Sequence, residues 1–178
     1  DYIDLLLIHK PFGDYYGAYR AMEEACKAGK VRAIGASNFY PDRLIDLCQF
    51  AEVTPAVNQV ETHVFQQQQT AHTYMKKYGV QHESWGPFAE GRKDFFTNPV
   101  LTGIGAKYGK SSAQVALRFL LQSDVVVIPK STHKERMQQN LDLFDFTLTE
   151  EDMAAIRQLD EGRSLFFDHY DPATVEML

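Results

Sequence analysis

Five short apolar runs, each followed by a polar end and an amphipathic stretch, limit this chain's possible folds more than any other feature. The runs are YIDLLLIH (2–9), VRAIGASN (31–38), PAVNQVE (55–61), VQHESW (80–85) and VVVIP (125–129). Each opens apolar or β-branched, as a strand buried on both faces does, and closes on polar residues. Strand centres recur roughly every 25 residues until a longer gap before the last. Strand–helix alternation of this kind argues for a parallel sheet with helices outside it.

The helical stretches carry their own punctuation. Residues 15–28 are amphipathic and stop at Gly29; Pro41 suits the first position of a helix over 42–52; residues 67–78 stop at Gly79. Ser111 and Gln114 form a capping-box pattern for 111–122. Thr-Glu-Glu-Asp opens 149–159, placing acids at the positive end of the helix dipole. The long gap, 89–110, reads as an excursion loop, although GIGAKYG (103–109) inside it reads as helix. The last residues, RSLFFDHYDPATVEM, read as an irregular aromatic tail packing on the body. No low-complexity linker divides the chain, so 1–178 reads as one domain.

Composition closes off several classes. A net charge of −6 argues against nonspecific nucleic-acid binding, so any basic site must be local. No apolar run approaches the ~20 residues of a membrane helix, and no signal peptide is evident. The expectation is a cytoplasmic protein with no membrane or nucleic-acid partner. Cys26 and Cys48 lie in helical stretches without metal-ligand spacing and read as reduced core residues; no metal site is expected. The chain begins at Asp1 and is in a strand-like run by residue 3, as though an upstream part were missing.

A doubly wound sheet would bind its dinucleotide at a glycine-rich first turn, and there is no G-x-G-x-x-G here. A (β/α)₈ barrel remains, with function at the C-terminal strand ends. Five strand–helix units would be an incomplete barrel, about five eighths of one. The strand ends carry His9 with Lys10 and Pro11; Ser37 and Asn38; Asn58, Gln59 and Glu61; Ser84 and Trp85; Lys130 and Ser131. Taken singly, each has an ordinary structural reading: a core histidine, a helix cap, a satisfied amide. Taken together, they offer amide and hydroxyl groups, one aromatic face and one cationic end. A nicotinamide dinucleotide needs those parts. Its carboxamide takes hydrogen bonds from Ser, Asn and Gln; its ring stacks on a flat aromatic face such as Trp85; a phosphate pairs with Lys130, Ser131 and the fork of Arg136.

As a set, LLLIHKP, AIGASNF, AVNQVE, ESWGPFAEG and VVVIPKS…R…N resemble, in order and spacing, the aldo-keto reductases. The closing SLFFDHYDP is similar to their bacterial branch near the 2,5-diketo-gluconate reductases. The resemblance spans the chain and implies a (β/α)₈ barrel that binds NADPH across its mouth and reduces aldehydes or ketones. It implies that His9 is the catalytic histidine orienting the substrate carbonyl. It also implies that Ser37, Asn38 and Gln59 hold the carboxamide, that Trp85 stacks on the nicotinamide, that Lys130, Ser131 and Arg136 clamp the adenosine 2′-phosphate, and that Asn140 touches adenine. Three positions depart from the family pattern: Gly86 stands for Ser, Lys10 for Trp or Gln, and Gln139 for Glu. The family's catalytic Asp, Tyr and Lys lie on strands before that of His9, so the 178 residues alone are expected not to be a competent reductase. The intact enzyme is expected to be monomeric, and the piece, with two sheet edges unpaired, to self-associate. Two other readings stay open: an NADPH-binding, redox-sensing interaction subunit, and a barrel in which IPKS holds a sugar phosphate.

Other polar residues receive plainer expectations. His63, His72, His82, His133 and His169 read as surface or structural, and Glu23 and Glu24 as a solvated helix face. Glu61 is a candidate to touch substrate. Phe166, Phe167, His169 and Tyr170 either line the pocket or only cover the barrel.

Overall fold

The structure, a computed structural model, describes residues 1–177. Strands β1 (Ile3–Ile8), β2 (Val31–Ser37), β3 (Val57–Glu61), β4 (Gln81–Trp85) and β5 (Val126–Val127) form one sheet in sequential order. The pairs β1–β2 and β2–β3 are parallel. Helices fill every connection: α1 (Tyr15–Lys27), α2 (Pro41–Phe50), α3 (Gln69–Tyr78), then α4 (Pro99–Tyr108) and α5 (Ser112–Gln122) before β5. After β5 come α6 (Lys134–Leu141), α7 (Glu150–Arg157) and α8 (Pro172–Met177). The α/β class read from the alternation is therefore the observed one.

Local chemistry explains most boundaries. Asp14 caps α1 by accepting from Gly17 N; Pro41 is at the first position of α2; Gly79 ends α3 in the left-handed conformation. The Ser111–Gln114 capping box is formed, and Thr149 caps α7 by accepting from Asp152 N. Strand β5 is shorter than the expected 125–129, because Pro129 has no N–H to give a ladder.

The chain divides into two compact units. The first comprises residues 1–60 with 68–83, and the second 61–67 with 84–178. The first has a core of Tyr19, Ile34, Phe39, Leu44, Leu47, Val60 and Met75, where α1, α2 and α3 lay apolar faces on β2 and β3. Its strands approach so closely at Gly35 that a Cβ there would stand 2.6 Å from Val57 O and 2.8 Å from Leu7 Cδ2. The second has its own core of Phe65, Phe95, Leu101, Ile104, Val115, Phe119, Leu120 and Ile156.

Three expectations need correction. Residues 89–110 are not all loop: the irregular part is 89–97, and Asn98, accepting from Val100 N and Leu101 N, then starts α4. The Asn-Pro start and the buried Leu101 and Ile104 mark that helix, which a loop reading by composition passes over. Glu23 is not solvated; it is 4% exposed and accepts a hydrogen bond from Val53 N at 2.9 Å, thirty residues away. The tail is not wholly irregular, since it ends in α8.

Candidate functional site

In the first unit the parallel register levels three strand ends. Ile8 pairs with Ala36, and Ser37 with Gln59, so His9, one residue beyond Ile8, falls at the height of Ser37 and Gln59. Beyond Ser37 the chain turns through Asn38, whose φ of 62° is one that asparagine tolerates better than most residues. Asn38 Nδ2 donates to His9 O at 3.0 Å and to Ser37 Oγ at 3.2 Å. Ser37 Oγ and Asn38 N both donate to Gln59 O at 2.9 Å. Asn58 pins the next residue, donating to Phe39 O at 2.8 Å. Hence Ser37 and Asn38 are buried and fixed by their neighbours. The ring of His9 is exposed.

Gln59 is oriented by a side-chain hydrogen bond. Its Nε2 donates to Glu83 Oε1 at 2.5 Å. With Nε2 facing Glu83 as donor, Gln59 Oε1 turns away from it. Behind the cluster, His82 is buried with its Nδ1 3.1 Å from that of His72. Burial, with a smaller contribution from His72, lowers the His82 pKa to about 3.

The second unit carries Trp85 and the phosphate-clamp candidates, and it holds them differently. Trp85 ends β4, and its carbonyl accepts from Thr62 N at 3.2 Å. The Phe167 ring stacks on it at 5.8 Å and 26°, and Phe166 meets it edge-on at 5.3 Å. The guanidinium of Arg92 lies 4.2 Å from the Phe166 centroid, and Arg92 also donates to Leu165 O. The chain leaves Trp85 through Gly86 at φ +65°, which makes Ser costly at that position.

Lys130 and Ser131 follow β5, while Arg136 and Asn140, one turn apart, share a face of α6. All four line one cleft of about 810 Å³ together with Phe88, Phe96 and Lys110. Trp85 does not line it. Ser131 Oγ accepts from His133 N at 3.1 Å and so shapes the turn into α6. Lys110 is already neutralised by Asp142 and Asp145 at 2.7 and 2.8 Å. Lys130 and Arg136 form no ion pair with any described residue and are exposed. Two uncommitted cations in one cleft are equipped to receive an anion.

The aldo/keto reductase family pattern matches residues 1–161. The chain belongs to the aldo/keto reductase family. A glyoxal reductase from Bacillus subtilis is 47% identical over 162 residues, covering 90% of this chain and 58% of that protein. Among solved structures, MGS-M4, an aldo-keto reductase from a Medee basin deep-sea metagenome library, has a TM-score of 0.91 at 44% identity, over 96% of this chain and 64% of that one. A Bombyx mori aldo-keto reductase in complex with NADP has a TM-score of 0.88 at 32% identity, over 99% of this chain and 62% of that one. A putative 2,5-diketo-D-gluconic acid reductase B is also similar, with a TM-score of 0.87 at 38% identity, over 93% of this chain and 60% of that one. The chain thus spans about three fifths of the length of these aldo/keto reductases, an overlap that fits about five of eight strand–helix units.

The sequence singled out the strand ends but not what secures them. Glu61, a candidate to touch substrate with a satisfied structural role as the other reading, is 5% exposed and engaged by its neighbours. Its carboxylate accepts from Ser164 Oγ, from Leu165 N at 2.9 Å and from His63 Nε2 at 2.9 Å. His63 is fully buried and His169 nearly so; both are structural rather than surface residues. Position at a strand end was the available signal for Glu61. Its partner lies 103 residues onward, where spacing gives none. No helix among the described residues is long and apolar enough to cross a membrane.

Proposed function

We propose that this chain is the NADPH-binding portion of an aldo/keto reductase that reduces a small aldehyde or ketone to an alcohol. The observation that carries the reading is the pair of cations, Lys130 and Arg136, that form no ion pair with any described residue and share one cleft with Ser131 and Asn140. A doubly charged ribose phosphate suits that set, because a forked guanidinium and an ammonium each form charge-assisted hydrogen bonds to phosphate. The first unit, taken by itself, carries groups of the kind a carboxamide requires: Gln59 Oε1 is turned away from Glu83 and free to accept, and Ser37 and Asn38 are held beside the Gln59 backbone.

The bound cofactor would supply the hydride that reaches the carbonyl carbon. The chain's own residues position and polarise. His9, which is exposed, would donate a hydrogen bond to the carbonyl oxygen, and Trp85 would offer its indole face to the nicotinamide. A proton must also reach that oxygen, and general-acid help is typically worth ~10²–10⁴-fold. Tyr2 precedes β1 at the end opposite His9, so it is not placed to donate. We therefore infer that these 178 residues bind cofactor without sustained turnover. The similarity to glyoxal reductase points to a small dicarbonyl as the substrate to try first.

One titration tests the reading. NADPH, NADH and a sugar phosphate are each added to the chain while the emission of Trp85, its single tryptophan, is followed. Quenching by NADPH at concentrations where NADH has no effect is the expected result. A response to sugar phosphate and none to NADPH would replace it with the sugar-phosphate reading.

A further inference from the structure

We propose that Glu61 is a positioning residue: through Ser164 it latches the closing tail against Trp85 and so shapes the aromatic wall a carbonyl substrate meets. The inference deepens the reductase reading and rests on it for the word substrate; the latch itself rests on geometry alone.

Glu61 is the last residue of β3 and is almost completely buried. A buried carboxylate is tolerated only when its lone pairs are occupied. Three donors occupy them, and two come from the tail: Ser164 Oγ–H and Leu165 N–H. The third is His63. Phe65 N donates to His63 Nδ1 at 3.2 Å, so Nδ1 is an acceptor and the ring proton stands on Nε2, facing Glu61. His63 is thus fixed as a neutral donor that holds the carboxylate in place.

Ser164 passes this order along. Having given its proton to Glu61, its Oγ accepts from both Phe166 N and Phe167 N at 3.0 Å. A hydroxyl so held fixes the turn that sends the two rings onto Trp85. Arg92 closes the outside of that turn, holding Leu165 O and lying over Phe166. The chain of contacts runs from a strand-end acid, through one hydroxyl, to the aromatic surface of the proposed nicotinamide platform. A carboxylate committed in this way cannot also bind substrate; its part is to set the wall.

The test reads Trp85 without cofactor. Glu61→Ala and Ser164→Ala are compared with the unaltered chain by emission maximum and by acrylamide quenching, with far-UV circular dichroism to establish folding. A latch predicts that both substitutions red-shift the emission and raise quenching, and that the double substitution adds little to either one. Phe167→Leu should reproduce the spectral change while leaving Glu61 in place. Glu61→Gln replaces one acceptor oxygen by an NH₂ that must face a donor in either orientation, so it should shift Trp85 in the same direction as Glu61→Ala. A folded Ser164→Ala chain with native emission and quenching overturns the proposal, even if Glu61→Ala fails to fold. The two readings fail separately. If NADPH does not quench the unaltered chain but the variants shift Trp85, the latch stands and the cofactor reading falls. If NADPH quenches and the variants do not shift Trp85, only the latch falls.

Discussion

The strand-end cluster of the first unit and the cationic cleft of the second are built on opposite principles. Ser37 and Asn38 are buried and hydrogen-bonded to one another and to neighbouring strands, so their positions follow from the sheet register. Lys130 and Arg136 are exposed, on a loop and on a helix with no buried residue, and pair with nothing described. The contrast follows from what each would bind. A neutral amide is recognised by direction, which demands fixed donors and acceptors. A phosphate is recognised by charge, which acts over distance and tolerates mobile side chains.

That contrast can be broken most severely at Gly35. An added methyl would collide with Val57 O and Leu7 Cδ2, and overpacking of this kind costs ~1–3 kcal/mol or more. Gly35→Ala should lower the urea midpoint sharply, whereas a normal midpoint would show that the register is softer than argued. Arg136→Ala should do the reverse. Stability should stay within ~0.5 kcal/mol, as for exposed positions, while NADPH affinity falls by roughly tenfold to a hundredfold, the worth of a charged hydrogen bond. NADH affinity should not change. Equal losses for the two cofactors in the Trp85 titration would remove the phosphate from that cleft.

A smaller effect sharpens the comparison through pH. The folded pKa of His82, about 3, lies below the value of ~6.5 for a free histidine. Between these values the unfolded chain binds a proton that the folded chain refuses, so stability should fall as pH drops from ~6.5 toward 3. His82→Gln should flatten that slope in urea titrations at pH 7 and pH 5. The smallest effect concerns salt. Raising ionic strength should weaken NADPH binding, because the cations of the cleft are exposed and screened. It should leave the unfolding midpoint nearly unchanged, because the hydrogen bonds of Ser37 and Asn38 join neutral, buried groups.

Much of the fold was legible because its signals are local. Pro41, the Ser111–Gln114 box, Thr149 and Gly79 announce helix ends within a few residues of where they act. The candidate site was legible only as residue types at strand ends; the structure bonds Ser37 and Asn38 to the backbone carbonyls of His9 and Gln59, and lines one cleft with Lys130, Ser131, Arg136 and Asn140. Less legible was everything that depends on a distant partner. Glu23 reads as a solvated acid until Val53 N is brought to it, and Glu61 stays open between a substrate contact and a structural role until Ser164 is brought to it. The irregular segment 89–97 hid Arg92, whose role depends on a tail more than seventy residues later.

The amino-acid order alone determined the strand–helix alternation, the caps and the placing of polar residues at strand ends, since periodicity and capping are properties of neighbours along the chain. Only the tertiary structure decided which buried acids are engaged, which cations remain unpaired and which rings cover Trp85. Burial and pairing are properties of neighbours in space, and a hydrogen bond spanning a hundred residues leaves no mark on the spacing of either partner.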